Sequence, residues 1–362
     1  MPATNQELLD EAVIMPDSEA KIALLERVIN ASDHSQDEDI GLEARIELLD
    51  VVVFYGHSEK MFAAFAWLLN YLDKDKNGWD QYASYRIMWR YKWILNNGIN
   101  FPHISLERLT SLHNDFAKRY KELGYSERTV HYFLLKLALH RGLYDEAREH
   151  YAAWKQQPRD RMSDCLACET NQIVIYHLRL GDLEAALEAA KSILKGKQRC
   201  AGVPHETYAE LVIPLFAHGR EGQAQKYHQK GLEITKSNQE HLSIFSSHMH
   251  YLALSQQLPE ALNIFEKCLS WALKTAELAD YYDFSLASHA IFKRSTGKTL
   301  ALRLVPDFEL YQATGNYDAD TLASYFLASA RNIAKSFDER NQGGNNYQKK
   351  IAYYENLLME LV

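Results

Sequence analysis

The 362-residue sequence predicts an all-α solenoid of antiparallel helix hairpins, on three observations. Ala147, Ala186, Ala224 and Ala261 recur at intervals of 39, 38 and 37 residues. Each alanine follows a turn that separates two apolar segments with helical periodicity. The chain has only 8 prolines and 16 glycines, so these segments are seldom interrupted. A repeat of this length is typical of stacked helical units, each of which contacts only its neighbours.

Composition excludes several classes of protein. Hydrophobic residues make up 47% of the chain, which is enough for a core along its whole length. A formal net charge of -8 disfavours binding to nucleic acid or to an anionic membrane, because both need concentrated Lys and Arg. The amino-terminal residues show no secretion signal, and no apolar run reaches the roughly 18 residues of a membrane span. With 4 cysteines, too few for a disulfide scaffold, we expect a cytoplasmic protein.

The first third of the chain predicts divergent hairpins. Apolar residues at helical spacing predict helices over residues 18–31, 40–55, 58–72, 79–95 and 105–123. The polar segment 33–39 is expected to be a loop. The fourth helix carries six large rings that cannot share one face: Trp79, Tyr82, Tyr85, Trp89, Tyr91 and Trp93. We expect some of these rings in the hairpin core, and the alternative that others face a ligand groove stays open.

The rest of the chain divides into regular repeats and a terminal region. Four regular hairpins are predicted over residues 126–273. A less regular stretch follows, then a helix ending near Ile333, a mobile loop at 341–346 and a terminal helix that covers the last apolar edge. The predicted regions are therefore 1–125 with divergent hairpins, 126–275 with four regular repeats, and 276–362 with a degenerate repeat and capping helices. In total, about seven hairpins are expected.

The turn residues carry a family resemblance. Gly142, Tyr144, Ala147 and Tyr151 match the pattern of the tetratricopeptide repeat, and the next unit matches it again. The chain resembles a bacterial-type member of that family with divergent repeats, since Gln256 replaces a turn glycine and the period exceeds the usual 34 or so residues. The resemblance implies a right-handed superhelical solenoid. It also implies a non-catalytic scaffold or adaptor that binds another protein or a peptide in its concave groove.

In this family the first helices of successive repeats line the groove. Applied to this chain, the resemblance implies a partner-binding face formed by Tyr132, Lys136, His140, Asn171, Ile175, Arg179, Glu210 and His250. Within that set, Lys136, Asn171 and Arg179 could hold a carboxylate or an acidic peptide. An ordinary polar surface without a ligand is the alternative.

The cysteines suggest a metal site. Cys165 and Cys168 begin one repeat's first helix, Cys200 lies in the loop after that repeat's second helix, and His205 opens the next repeat. Because antiparallel hairpins bring such ends together, these four side chains could surround a tetrahedral zinc ion. Two alternatives remain open: three reduced thiols beside a capping histidine, or a redox role for Cys165 and Cys168.

No catalytic motif is present, so we predict that the chain is not an enzyme. His248 and His250 lie two positions apart on a helix, which places them on different faces and makes them poor joint ligands. One alternative function is a peptide-responsive regulator, similar to bacterial quorum-sensing tetratricopeptide proteins. A zinc-dependent enzyme that uses the cysteine cluster is the other, and it would need an open coordination position.

Overall fold

The computed structural model of the chain describes residues 3–55, 57–74 and 81–360, and this part of the chain is almost entirely α-helical. It contains seventeen α-helices: α1 (Asn5–Ile14), α2 (Glu19–Ser35), α3 (Glu38–Tyr55), α4 (Met61–Lys74), α5 (Gln81–Gly98), α6 (Leu106–Glu122), α7 (Arg128–Arg141), α8 (Tyr144–Gln156), α9 (Leu166–Arg179), α10 (Leu183–Leu194), α11 (His205–Ala217), α12 (Glu221–Ile234), α13 (Leu242–Leu254), α14 (Leu258–Ala272), α15 (Leu278–Lys293), α16 (Ala319–Asn341) and α17 (Asn346–Glu360). Short 3-10 turns at Ser58–Lys60 and Gln239–His241 lead into α4 and α13. From α3 to α16 the described helices form seven consecutive pairs, so the predicted all-α solenoid of hairpins is confirmed.

The four regular hairpins lie where the alanine period predicts them. The second helices α8, α10, α12 and α14 each begin just before one of the periodic alanines. Ala147, Ala186, Ala224 and Ala261 are all 0% exposed. A methyl group at these positions lets the two helices of a hairpin approach closely, which explains the repeat.

The amino-terminal region differs from the sequence prediction in two places. Helix α1 was not predicted, and it is capped at Thr4, whose side chain accepts from the Glu7 amide while Glu7 bonds back to the Thr4 backbone. Helix α2 continues to Ser35, so the predicted loop over 33–39 shrinks to a turn at 36–37. An ion pair at 2.7 Å between Asp33 and Arg45 joins this last turn of α2 to α3.

The rings of the α5 region divide between core and surface. Tyr91 is fully buried, whereas Tyr82 is 66% exposed. The Lys92 ammonium lies 3.1 Å from the centre of the Trp89 ring, and Trp93 lines an interior cavity described below. Trp79 lies outside the described residues.

A small sheet and a long helix replace the irregular stretch expected after α15. Strand β1 (Thr299–Ala301) pairs antiparallel with β2 (Asn316–Asp318), and Leu300 lies opposite Tyr317. Helix α16 then runs on to Asn341, beyond the expected end near Ile333. The turn that follows packs against α7, because a Cβ atom on Gly343 would lie 2.6 Å from the Arg141 carbonyl oxygen. The segment expected to be a mobile loop is therefore held against the first half of the chain.

The two halves of the chain meet, and this closes the superhelix. Arg340 of α16 donates to the carbonyl oxygens of Ile99, Phe101 and Ile104 at 2.9, 3.2 and 3.4 Å. At the start of α15, Glu277 accepts from the Asn100 side chain at 2.7 Å and from the Ser58 hydroxyl. Hydrophobic clusters continue across residues 125 and 275, and the division into three regions stays a prediction. The first helices consequently surround an interior space.

Candidate functional site

The first helices of the hairpins line a chamber of about 310 Å³ that is partly open to solvent. Its wall comes from the 99–100 loop and from helices α7, α9, α11, α15 and α17. Five residues predicted for the concave face line it together: Lys136, His140, Ile175, Arg179 and Glu210. Both halves of the chain contribute to the chamber wall, so the chamber differs from a groove lined only by consecutive repeats.

Most charges in the chamber are paired. Arg179 donates to both carboxylate oxygens of Glu210, at 3.0 and 3.2 Å. The coulombic effect of Glu210 raises the pKa of Arg179. Lys350 of α17 donates to Asp283 of α15 at 2.6 Å. These pairs hold α9 to α11 and α15 to α17, and each leaves little net charge for a ligand.

Two charged groups in the chamber lack an opposite charge. The Lys136 ammonium donates to the neutral Asn96 side chain and forms no ion pair with any residue that the structure describes. The Asp280 carboxylate has neither a hydrogen bond nor an ion pair within the described ranges, and its charged neighbours are the acids Glu277 and Asp283. Burial lowers the pKa of Lys136 and raises that of Asp280, because a charge without a partner is costly away from water.

Asn171, Ile175 and Glu210 border a second cavity of about 440 Å³ that shares part of the chamber wall. Asn171 donates to Glu206 at 3.1 Å and accepts from the Thr207 hydroxyl at 2.6 Å, so its amide is already engaged in linking α9 to α11. Burial raises the pKa of Glu206 to about 7. This second cavity lies between the chamber and the cysteine cluster, because Ala201 and Gly202 also line it.

Two predicted face residues are buried in helix packing. Tyr132 is 4% exposed, and its ring lies 5.3 Å from that of Trp154. His250 is 3% exposed, and its ring lies 4.1 Å from that of Tyr354 on α17. Burial lowers the pKa of His250 to about 3, which keeps the imidazole neutral. Both side chains are covered by neighbouring rings, and neither lines the chamber or the cavity beside it.

The structure brings three of the four predicted metal ligands together. The Sγ atoms of Cys165, Cys168 and Cys200 all lie within 4.8 Å of one another. Cys165 caps α9 and accepts from the Cys168 amide at 3.3 Å, and the Sγ atoms of Cys168 and Cys200 are 3.3 Å apart. The hydrogen bond to Cys168 lowers the pKa of Cys200 to about 6, aided by the amides of Gly202 and Val203. The same contact raises the pKa of Cys168.

His205 does not join the cysteine cluster. It is the first residue of α11, and its ring stacks on that of His241 with centroids 5.0 Å apart and 12° between the planes. The cluster of potential ligands found in the described residues contains only the three cysteines. The imidazole therefore lies beside His241 and outside the sulfur cluster.

The chamber also contains groups that the sequence reasoning missed. Gln172 of α9, Asp280 and Asp283 of α15, and Lys350 of α17 line it. The register of first helices, extended one unit to α15, could have indicated Asp280 and Asp283. Nothing in the sequence indicates that α17 meets α7, since that contact depends on the closure of the superhelix.

No protein-family model and no curated protein matches this chain. Among solved structures, the chain is similar to the crystal structure of the APC/C hetero-tetramer Cut9-Hcn1, with a TM-score of 0.48 and 13% sequence identity. The match covers 99% of this chain and 67% of that chain. Within the described part of the chain, no helix combines the length and apolarity needed to cross a membrane.

Proposed function

We propose that this chain is a non-catalytic, tetratricopeptide-like scaffold that binds a protein partner or a peptide in its interior chamber. The observation that carries the proposal is the convergence of Lys136, His140, Arg179 and Glu210, from three consecutive first helices, on one chamber. Helical-repeat scaffolds commonly present a concave face to their partners. Lys136 can meet a carboxylate of the partner, because its present partner is a neutral amide.

Affinity capture from the native cells tests this function. We expect wild type to retain a specific protein or peptide that Lys136→Glu loses, as judged by mass spectrometry. Lys335→Glu is the matched control, because that side chain is 72% exposed on α16 and faces solvent. Equal capture by both variants would show that the partner binds the outer surface and would contradict the proposal.

A peptide-responsive regulator is the second candidate. It is favoured by the chamber wall, which comes from α7 and α9 on one side and from α15 and α17 on the other. A ligand that contacts both sides would favour the closed arrangement over a more open one. We expect a peptide ligand to reduce the radius of gyration in X-ray scattering, whereas an unchanged radius at saturation would contradict this role.

We also propose that Cys165, Cys168 and Cys200 hold a zinc ion that stabilises the loop before α11. Sulfur ligands of tetrahedral zinc lie about 3.8 Å apart, given Zn–S bonds of about 2.3 Å. The observed sulfur positions, within 4.8 Å of one another, need only small side-chain movements to match. With His205 directed elsewhere, the fourth ligand would be a water molecule or a group from outside the cluster.

Metal analysis tests the zinc site. We expect one zinc per chain in wild type and in Cys268→Ala, since Cys268 is buried in α14 and away from the cluster. Cys200→Ser should lose most of the zinc and melt at a lower temperature. Wild type that carries no zinc after expression in zinc-supplemented medium would contradict the site.

A further inference from the structure

The side chains of Cys168 and Cys200 are in direct contact, although 32 residues separate them in the sequence. Cys168 lies in the first turn of α9, and Cys200 lies in the loop before α11. Their Sγ atoms are 3.3 Å apart, and both cysteines are free thiols. A disulfide bond has a length of about 2.05 Å, so these two atoms need to approach by only about 1 Å to form one.

Small oxidants can reach this pair of thiols. Both side chains are half-buried, and Cys200 lines a cavity of about 880 Å³ that is partly open to solvent. The backbone amides of Gly202 and Val203 donate to the Cys200 sulfur, and such donors stabilise negative charge on it. Because the thiolate is the form of cysteine that attacks an oxidant, the loop before α11 prepares Cys200 for that step.

We propose that Cys168 and Cys200 are a redox-active pair that a hydroperoxide oxidises to a disulfide. The Cys200 thiolate attacks the peroxide, so an S–O bond forms, the O–O bond breaks, and the second oxygen leaves as an alcohol or water. The Cys168 thiolate then attacks the sulfenic acid on Cys200, so the S–S bond forms, the S–O bond breaks, and water leaves. Overall, the two thiols lose two protons and two electrons, which reduce the peroxide.

Cys165 has a different role from the two paired thiols. Its sulfur accepts from the Cys168 backbone amide at 3.3 Å and so caps the amino end of α9, and its side chain is exposed. A bond between Cys168 and Cys200 leaves this cap in place. Serine is a preferred residue at such a position, so Cys165→Ser removes the third thiol and keeps the cap.

The disulfide does not depend on the zinc ion proposed above, because its formation needs only the two sulfur atoms. Where zinc is bound, the same bond takes away two of the three cysteine ligands. Since zinc binds cysteine as the free thiolate, oxidation of the pair would then release the metal. The inference therefore adds an oxidant response to this cluster, and that response can be measured in the chain with or without metal.

Peptide mapping of the full chain tests the pair. Trypsin places Cys165 and Cys168 in one peptide, residues 162–179, and Cys200 in another, residues 200–220. The chain is treated with hydrogen peroxide, both as purified and after removal of metal by a chelator. After chelation, we expect wild type to lose two of its four free thiols and to yield these two peptides joined. Cys165→Ser should yield the same joined peptides, and a dithiol reductant should separate them.

Trapping of the sulfenic acid tests the order of the two steps. With Cys165→Ser as the reference, the double variant Cys165→Ser, Cys168→Ser should show at least tenfold more labelling of Cys200 by dimedone, because no neighbouring thiol displaces the oxygen. Cys268→Ala is the matched control and should form the disulfide as wild type does, since Cys268 is buried in α14. Equal labelling of reference and double variant would overturn the step assigned to Cys168.

Other results of the mapping would overturn the inference itself. Joined peptides that disappear in Cys165→Ser would show that Cys165 is the partner of Cys200, and a disulfide confined to residues 162–179 would show that it is the partner of Cys168. A chelated wild-type chain that keeps all four thiols would show that the contact is not redox-active. Absence of zinc from the purified chain would contradict the metal site alone, because the disulfide is measured separately.

Discussion

At the residue scale, the turns inside the regular hairpins show that different residue types adopt the same left-handed backbone conformation. The first three turns each contain a glycine with positive φ, such as Gly219 at +72°. The fourth turn places Gln256 at the same point with φ of +61°. A side chain in this left-handed region costs about 1 kcal/mol or more, because Cβ crowds the backbone.

We therefore predict that Gln256→Gly stabilises the protein. The relief of strain should exceed the added flexibility of the unfolded chain and raise the free energy of unfolding by about 0.5 kcal/mol. Urea denaturation followed by circular dichroism measures the change. Gly219→Gln is the reciprocal control and should lose about 1 kcal/mol. A Cβ atom at position 219 would have no heavy atom within 4 Å, so the loss of stability in Gly219→Gln reports backbone strain alone. A loss of stability in Gln256→Gly would contradict the argument.

At the element scale, α13 is buried between its neighbours along most of its surface. Along with its apolar residues, the helix buries Ser246, His248 and His250. The Nδ1 atoms of His248 and His228 lie 3.2 Å apart, and the Nε2 atoms of His248 and His250 have no hydrogen-bond partner among the described residues. Burial lowers the pKa of both α13 histidines to about 3, so this helix packs with neutral imidazoles.

This packing predicts a pH dependence of stability. A histidine in the unfolded chain has a pKa of about 6.5, so between that pH and about 3 the unfolded state binds protons that the native state does not. Stability is fully present above about pH 6.5 and falls on acidification, by up to about 1.4 kcal/mol per pH unit for each such histidine.

Replacing one of the two histidines isolates its contribution. His250→Leu should flatten the slope of unfolding free energy against pH between about 6.5 and 4 by roughly 1 kcal/mol per unit. His34, exposed near the end of α2, serves as the control in His34→Leu. An unchanged slope in His250→Leu would show that His250 is protonated in the native state as readily as in the unfolded one.

At the scale of the whole molecule, contacts between distant parts of the chain close the superhelix around the chamber. Arg340 is 8% exposed and donates to three carbonyl oxygens of the 99–104 segment. Asn346 of α17 donates to the His140 carbonyl oxygen at 3.1 Å, and the Phe337 and Tyr347 rings stack with centroids 4.4 Å apart. Together with the contacts of Glu277 to Asn100 and Ser58, these contacts join parts of the stack that lie far apart along the chain.

Removal of the Arg340 side chain should separate α16 from the 99–104 segment and open the superhelix. In Arg340→Met the three carbonyl oxygens lose a charged donor, and we expect a loss of about 3 kcal/mol and a larger radius of gyration in X-ray scattering. The helical content measured by circular dichroism should stay unchanged, because the hairpins themselves do not depend on this contact. Lys335→Met on the same helix is the control. An unchanged radius of gyration would show that other contacts suffice for closure.

The sequence by itself determined the repeat. Periodic alanines, turn residues and apolar spacing act within one hairpin or between neighbours, so they predicted the four regular hairpins and the clustering of three cysteines at the start of α9 and the loop before α11. The family resemblance implied that Lys136, His140, Arg179 and Glu210 share a face, and these four residues line the chamber together.

Only the tertiary structure decided which helices pack opposite the face formed by α7, α9 and α11. Small rotations between successive hairpins accumulate along the stack, and side-chain packing sets each of them, so no local pattern predicts that α17 meets α7. The same reason explains His205: one helical position turns a side chain by about 100°, and its imidazole stacks on His241 instead of joining the thiols. The chamber, with the groups in it that lack partners, is a property of the closed superhelix.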